Sequence, residues 1–125
     1  MINRQDYINS FEQDITMVRG DTLIFGFELL GLEGELPDLI KFKCTDNYEN
    51  SPDFSSSTLD GGIILENYDE GTDTATYSVR VQPMQTSSLA VGRYHYDITM
   101  SFDDVEDVYT LQRGNLDLVP NVKGA

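Results

Sequence analysis

Apolar and polar residues alternate with a period of two along most of this chain, which predicts β-strands. The clearest example is R-Y-H-Y-D-I-T-M-S-F at 93–102, where every second residue is apolar. Shorter or less regular runs of the same kind lie at 14–18, 22–30, 39–45, 62–67, 75–81, 108–112 and 115–119. No segment has a convincing helical period, although P-M-Q-T-S-S-L at 83–89 could form one helical turn.

Seven or eight short strands at regular spacing, separated by turn signals, predict an all-β fold. We expect an antiparallel β-sandwich of immunoglobulin-like architecture, because each strand has one apolar face and one polar face. The sandwich should form a single domain over residues 14–119, with an N-terminal arm at 1–13 and a C-terminal tail at 120–125. The longest stretch without a strand pattern is 46–62, which we interpret as a loop with a binding role or high mobility.

The tripeptide Arg19-Gly20-Asp21 lies between two predicted strands. It matches the motif that adhesion ligands present to integrins, but each residue type also suits a tight connection. Gly20 can adopt a positive φ, and Asp21 can close an Asx-turn. We therefore interpret these residues as a turn.

The charge balance excludes one class of partner. Eight Lys and Arg residues against 22 Asp and Glu residues give a net charge of −14. Nucleic acids and anionic membranes both require a basic surface, so we expect no binding to either. No run approaches a membrane span, and the N-terminus has no apolar signal region, which predicts synthesis in a cytoplasm. Cys44, the only cysteine, is expected to be a buried, inert thiol.

Few residues suggest chemistry. His95 lies beside Asp97 on the polar face of one strand, without a nucleophile motif, and we interpret the two as an exposed polar pair. The candidate site for a bound Ca²⁺ is the turn containing Asp69, Glu70 and Asp73, since these supply oxygen ligands, although without EF-hand spacing. We expect no other cofactor. No paired acids, metal set or nucleophile stand out, so a small hydrolase is disfavoured and we expect no enzymatic activity.

The order of several short motifs resembles a known family. M-V-R-G-D-T-L-I-F-G-F-E-L begins the pattern, G-R-Y-H-Y-D-I at 92–98 follows late, and T-L-x-x-G-x-L-x-L at 110–118 closes it. This arrangement is similar to the N-terminal domain of phage baseplate upper proteins and related virion modules. The resemblance implies a non-enzymatic β-sandwich that docks onto other virion proteins. The chain would be a baseplate or tail adaptor, a head decoration protein or a fibre-anchoring subunit, located in the virion.

Homo-oligomers are common among such modules, and the N-terminal arm offers a candidate interface. It has apolar residues with no evident core strand to serve: Ile2, Tyr7, Ile8 and Phe11. The alternative function is a carbohydrate- or receptor-binding module that uses the 46–62 loop. In that case Tyr48 and Tyr68, which lie in predicted turns, could stack on a sugar.

Overall fold

A computed structural model describes residues 11–47, 51–102 and 108–121, with side chains from residue 13 onward. Within these residues it contains one helix, α1 (Pro83–Thr86), and a series of β-strands. These are β1 (Phe11–Glu12), β2 (Ile15–Val18), β3 (Leu23–Leu30), β4 (Leu39–Thr45), β5 (Phe54–Ser57), β6 (Ile63–Asp69), β7 (Thr74–Val81), β8 (Gly92–Ser101) and β9 (Val108–Val119).

The strands form two sheets, which confirms the predicted all-β sandwich. Sheet A has the order β1-β9-β8-β4-β5, and β2 also pairs with β9. Sheet B has the order β3-β7-β6 and is antiparallel throughout. Sheet A is not fully antiparallel, because β1 and β2 run parallel to β9. The two strands occupy successive parts of one side of β9, from Gln112 to Val119.

One apolar core lies between the sheets and is built from the predicted inward faces. Ile40, Phe42 and Cys44 of β4 are fully buried, as are Val79 and Val81 of β7. On β8 the whole predicted row is buried, from Tyr94 to Phe102 just beyond the strand. Alternate side chains of an antiparallel strand point to one face, so these apolar residues meet in the core.

Aromatic contacts connect the two sheets at the centre of this core. The Phe25 ring of β3 meets the Phe42 ring of β4 edge to face, with centroids 5.7 Å apart. Within sheet A, Phe42 also contacts Tyr96 (5.5 Å) and Phe54 (6.0 Å). Edge and tilted arrangements of this kind contribute beyond the burial of apolar area alone.

The sequence interpretation of residues 46–62 as a loop without a strand is wrong in its second half. Residues 54–57 form β5, which pairs antiparallel with β4 and buries Phe54 against the core. The run F-S-S-S carries no apolar alternation, so its pairing is set by the neighbouring strand rather than by its own pattern.

The C-terminal strand also differs from expectation. The segments 108–112 and 115–119 belong to one long strand, β9, with an irregularity in its pairing to β8 near Ile98 and Thr99. Gly114 does not end the strand. It allows close approach of another segment, since a Cβ there would lie 2.1 Å from the backbone oxygen of Gln13.

The Arg19-Gly20-Asp21 tripeptide joins β2 of sheet A to β3 of sheet B, as a connection between sheets. Gly20 has φ of 82°, and its N–H donates to the buried Thr86 hydroxyl of α1 (2.9 Å). The Arg19 guanidinium donates to the Leu89 carbonyl (3.3 Å). The turn is closed by a backbone bond from Asp21 to Val18 (3.1 Å). These contacts give the tripeptide a structural role and support its interpretation as a turn.

Candidate functional site

The predicted oligomer interface lies mostly beyond the described part of the chain. Ile2, Tyr7 and Ile8 are outside it. The backbone of Phe11 belongs to β1 and pairs with Gln112 of β9, so sheet A begins before residue 14. Gln13 continues this contact, because its N–H donates to the Arg113 carbonyl (3.0 Å) and its own carbonyl accepts a hydrogen bond from the Tyr96 hydroxyl.

The proposed calcium turn is organised around hydrogen bonds instead. The Asp73 carboxylate accepts hydrogen bonds from the Tyr68 hydroxyl (2.7 Å) and from the N–H of Glu33 (2.8 Å) and of Gly34 (3.4 Å). The Asp69 carboxylate accepts the N–H of Gly71 (2.9 Å), which closes an Asx-turn. In residues 11–47, 51–102 and 108–121, no three metal-ligating side chains come together.

These bonds change the ionisation of Tyr68 and Asp73. The Tyr68 hydroxyl and the backbone N–H of Glu33 stabilise the Asp73 carboxylate, which lowers its pKa. The same hydrogen bond, with some desolvation, raises the pKa of Tyr68. Glu33 (φ 54°) and Gly34 (φ 80°) both have left-handed backbone conformations. The Asp73 carboxylate accepts the N–H groups of both residues and so stabilises this turn. Asp73 therefore ties the loop after β3 to sheet B.

The remaining described candidate residues contact neighbouring residues of the fold rather than forming a site together. Tyr68 packs partly against the core, and Tyr48 lies outside the described residues. His95 Nδ1 lies 3.0 Å from Asn115 Oδ1, and Asp97 lies 3.9 Å from the Lys43 ammonium, so both make cross-strand polar contacts. Cys44 is fully buried, and desolvation, with the nearby Asp53 charge, raises the pKa of its thiol to about 12. The prediction that Cys44 is buried is confirmed, and the raised pKa is consistent with an unreactive thiol.

A polar cleft of about 220 Å³ opens where the β5–β6 turn meets the segment after β7. Asp60 shapes one wall, because its carboxylate accepts the N–H groups of Ser57 (3.0 Å) and Gly62 (2.8 Å). On the other wall, the Gln85 amide donates to the Ser55 carbonyl (2.9 Å). Arg80 also lines the cleft, and its guanidinium makes no ion pair within the described part of the chain. No aromatic residue is among those that line it.

The edge of sheet B at β3 offers a different kind of surface. Ile24 and Leu30 point outward from β3 and are 54% and 57% exposed. We call the outer edge of sheet B at β3, with these two side chains, the β3 edge surface. Within the described residues, β3 pairs only with β7, so its other side has no strand against it. An open, apolar strand edge is a template for pairing with another chain.

The other strand edges are shorter, irregular or covered. β5 has four residues, and the far side of β9 is covered by β1 and β2. β6 carries Glu66 and Asp69 and has a register shift between Leu65 and Asn67. β3 has eight residues, no proline, one charged side chain and a regular register throughout. It is thus the longest regular strand at a sheet edge among the described residues, and the periodicity of the sequence could not reveal which strand lies at an edge.

No protein-family model matches this sequence, and no curated protein is significantly similar to it. Among solved structures, a family 123 glycoside hydrolase from Clostridium perfringens is similar, with a TM-score of 0.54 and 13% identity. The match covers 90% of this chain but only 23% of the hydrolase, so the chain spans about a quarter of that protein's length. At this identity the likeness concerns the fold alone.

Two structures of voltage-gated sodium channel beta subunits, studied for cell adhesion, match more distantly. One has a TM-score of 0.37, with 15% identity over 86% of this chain and 92% of that one. The extracellular domain of the beta4 subunit has a TM-score of 0.34, with 16% identity over 89% and 93% of the two chains. Neither likeness bears on function. Within the described residues, no helix is long and apolar enough to cross a membrane.

Proposed function

We propose that this chain is a non-enzymatic structural subunit of a tailed-phage virion that assembles through protein–protein contacts. The observation that carries the proposal is the β3 edge surface, an eight-residue strand at the end of sheet B with two exposed apolar side chains. The resemblance of the motif order to baseplate upper proteins gives the setting, as a baseplate or tail adaptor, a head decoration protein or a fibre-anchoring subunit. Its partners are other virion proteins and further copies of itself.

The surface chemistry supports assembly with proteins. Strand addition at an open sheet edge supplies backbone hydrogen bonds, and side chains beside the edge supply specificity. The net charge of −14 favours a partner that presents basic groups, and it opposes association with further copies of the chain except where salt screens the repulsion. The functional side chains suggested by the sequence are instead engaged in holding turns and strands.

Tailed-phage particles produced by the genome that encodes this chain provide the test. Intact particles would be purified by density gradient and examined by quantitative mass spectrometry and by electron microscopy with a labelled antibody. We expect the chain at a fixed ratio to the known head or tail proteins, and a label at one discrete position. A chain that is present in the lysate but absent from intact particles would overturn the proposal.

A carbohydrate- or receptor-binding module is the second candidate, and the polar cleft is the observation that favours it. Its walls come partly from the 46–62 segment, and Arg80 supplies a cationic donor without an acidic partner there. Binding of the isolated protein to a glycan array measures this directly. Arg80→Ala should weaken such binding, whereas Lys41→Ala, which removes a cation outside the cleft, should leave it unchanged. Absence of any glycan signal from the wild-type protein would remove this candidate.

A further inference from the structure

We propose that the polar cleft docks a segment of a partner protein that presents one acidic and one basic side chain beside apolar residues. The acidic side chain pairs with Arg80 and the basic one with Asp60, both of which line the cleft. This inference rests on the proposed function, because it names a place where a protein partner binds and what that partner presents. The charges of the cleft, the bonding of its walls and the apolar residues around it support the inference.

Arg80 and Asp60 give the cleft one positive and one negative charge that do not neutralise each other. Both residues are exposed and line the same cleft, but they form no ion pair with one another. By contrast, the Arg93 guanidinium bonds to the Asp117 carboxylate (2.9 Å). A guanidinium presents a flat array of donors that matches a carboxylate, so Arg80 is suited to an acidic side chain.

The Asp60 carboxylate is fixed in position and can still accept a hydrogen bond. Both backbone N–H groups that it binds, those of Ser57 and Gly62, donate to Oδ1, and Oδ2 accepts none within the described residues. Gly62 allows this turn to close, because a Cβ there would lie 2.6 Å from the Ser56 Cβ and 2.9 Å from Asp60 Oδ1. A carboxylate that is already ordered loses little freedom when a basic side chain binds it.

The opposite wall of the cleft is also preformed. The Gln85 side chain donates to the Ser55 carbonyl (2.9 Å) and accepts the N–H of Gln82 (2.7 Å). The Ser56 hydroxyl donates to the Arg80 carbonyl (3.1 Å) and so joins β5 to β7. Walls held in this way need little ordering when a segment binds, which favours affinity.

Exposed apolar side chains surround this charged cleft. Leu59 (81% exposed) is next to Asp60 in the β5–β6 turn, and Met84 (87% exposed) is next to Gln85 in α1. Methionine and arginine are enriched in protein interfaces, and grouped exposed apolar residues mark sites of interaction. We call the apolar rim the four large exposed side chains that lie within two residues of a cleft-lining residue or directly opposite one: Leu59, Met84, Ile24 and Ile64.

The net charge of −14 indicates which partner the cleft favours. A purely acidic segment would be repelled by the chain as a whole, even though it could pair with Arg80. A segment with neighbouring acidic and basic residues meets no such net repulsion, and it matches both charges of the cleft, which fixes its direction. A saccharide is less suited, since no aromatic residue lines the cleft and the apolar rim would stay exposed.

A synthetic peptide array tests this chemistry without the natural partner. It would carry short peptides of Leu and Ser that contain one Glu and one Lys at neighbouring positions, Glu alone, Lys alone, or neither. We expect the purified full-length chain to bind the peptides with both charges at least about 10-fold more strongly than the uncharged ones. Added salt should weaken this binding, because it screens attraction between opposite charges.

Three charge variants test the two residues separately. Arg80→Gln should lower binding to the Glu-containing peptides at least about 10-fold, whereas Lys41→Gln, which removes a cation outside the cleft, should not. Asp60→Asn keeps an oxygen for the N–H groups of Ser57 and Gly62 and removes only the charge, so it should abolish the preference for Lys. Equal thermal stability of the variants excludes unfolding as the cause.

Serine substitutions test the apolar rim. Leu59→Ser and Met84→Ser should each weaken binding at least about threefold, because each removes an apolar contact with the segment. Val108→Ser is the matched control, since its side chain is 66% exposed and lies on β9, which β8 and β4 separate from β5 in sheet A. This variant should bind as the wild-type protein does.

The possible outcomes separate this inference from the proposed function. Absence of binding to every peptide, or equal binding by the wild-type protein and Arg80→Gln, would overturn the inference. Binding to saccharides on a glycan array but to no peptide would also overturn it, and would support the second candidate function. In each case the presence of the chain in phage particles would still support the proposed structural function. Its absence from intact particles would overturn that function even if the cleft binds the charged peptides.

Discussion

Among the described residues, sheet A contains six strands, and β1 and β2 cover the outer side of its longest strand, whereas sheet B contains three strands with β3 at one end of their order. The side chains follow this division in part, although Val108 of β9 in sheet A is 66% exposed. Near β1, the buried Tyr96 hydroxyl accepts a hydrogen bond from the Gln112 amide and donates one to the Gln13 carbonyl. On sheet B, large apolar side chains remain exposed at Ile24, Leu30 and Ile64.

This contrast indicates where the fold is stabilised and where it can make contacts. A covered edge removes unpaired backbone groups and contributes to stability, while an open apolar edge is retained only where something else protects or uses it. We therefore interpret sheet A as the structural base of the fold, and we propose sheet B as its contact surface. Substitutions in sheet A should change stability most, and substitutions at the β3 edge should change association.

The largest effect on stability is expected at Gly114, where β9 packs against the residues that connect β1 to β2. Gly114→Ala would place a Cβ 2.1 Å from the Gln13 oxygen and 2.8 Å from its carbonyl carbon, so backbone must move. We expect a loss of at least about 2 kcal/mol in the free energy of unfolding, measured by chemical denaturation.

Gly26 of β3 provides the matched control in sheet B. A Cβ there would meet one backbone oxygen, that of Tyr77, at 3.3 Å. Gly26→Ala should change stability by less than about 1 kcal/mol, because the closer contact is offset by lower freedom in the unfolded chain. If the two glycine variants were equally destabilised, the division of roles between the sheets would be wrong.

A second, smaller effect should follow from Tyr96, whose side chain is 1% exposed. Its hydroxyl donates to the Gln13 carbonyl and accepts from the Gln112 amide (2.9 Å). Tyr96→Phe leaves both partners without this bond in a buried place, so we expect a loss of about 1–3 kcal/mol in thermal or chemical denaturation.

Tyr94 lies on the same face of the same strand and serves as the control for Tyr96. Its hydroxyl donates to the carbonyl of Ala90, an exposed residue (2.7 Å). Water can replace that bond, so Tyr94→Phe should be milder than Tyr96→Phe. If Tyr94→Phe were the more destabilising variant, the hydrogen bonds of Tyr96 with Gln13 and Gln112 would contribute little to the stability of sheet A.

Much of this architecture follows from the sequence, because local alternation determines which side chains point inward. The alternation at 39–45, 75–81 and 93–102 predicted the strands β4, β7 and β8, and the alternate apolar residues of each strand are buried. β5 was not predicted, since its serines have no apolar period and it forms only where β4 offers a partner. The break expected near Gly114 was wrong for a similar reason, because the glycine accommodates a neighbouring segment.

The candidate site was less predictable than the fold. Which strand lies at an edge depends on long-range pairing, and the parallel contacts of β1 and β2 with β9 join residues about 100 positions apart. The acidic turn after β6 suggested a cation site by composition, but its Asp73 carboxylate faces backbone N–H groups of a distant loop. Composition shows which groups are present, and only the fold shows which groups they meet.

The smallest expected effect concerns the loop after β3, which hydrogen bonds to Asp73 hold against sheet B. Asp73 has a lowered pKa, so its contribution to stability is present above its ordinary value, near pH 4, and is lost as the pH falls through the folded value. The Tyr68 hydroxyl is the largest cause of this shift. Tyr68→Phe should therefore reduce the loss of stability below about pH 4, as measured by thermal denaturation across a pH series.

Asp73→Asn should remove this contribution to the acid dependence altogether, while Asp60→Asn, at the β5–β6 turn, should leave it in place. An unchanged acid response in Asp73→Asn would mean that the loop after β3 is held by other contacts, and that sheet B is less firmly tied at this end than the hydrogen bonds imply.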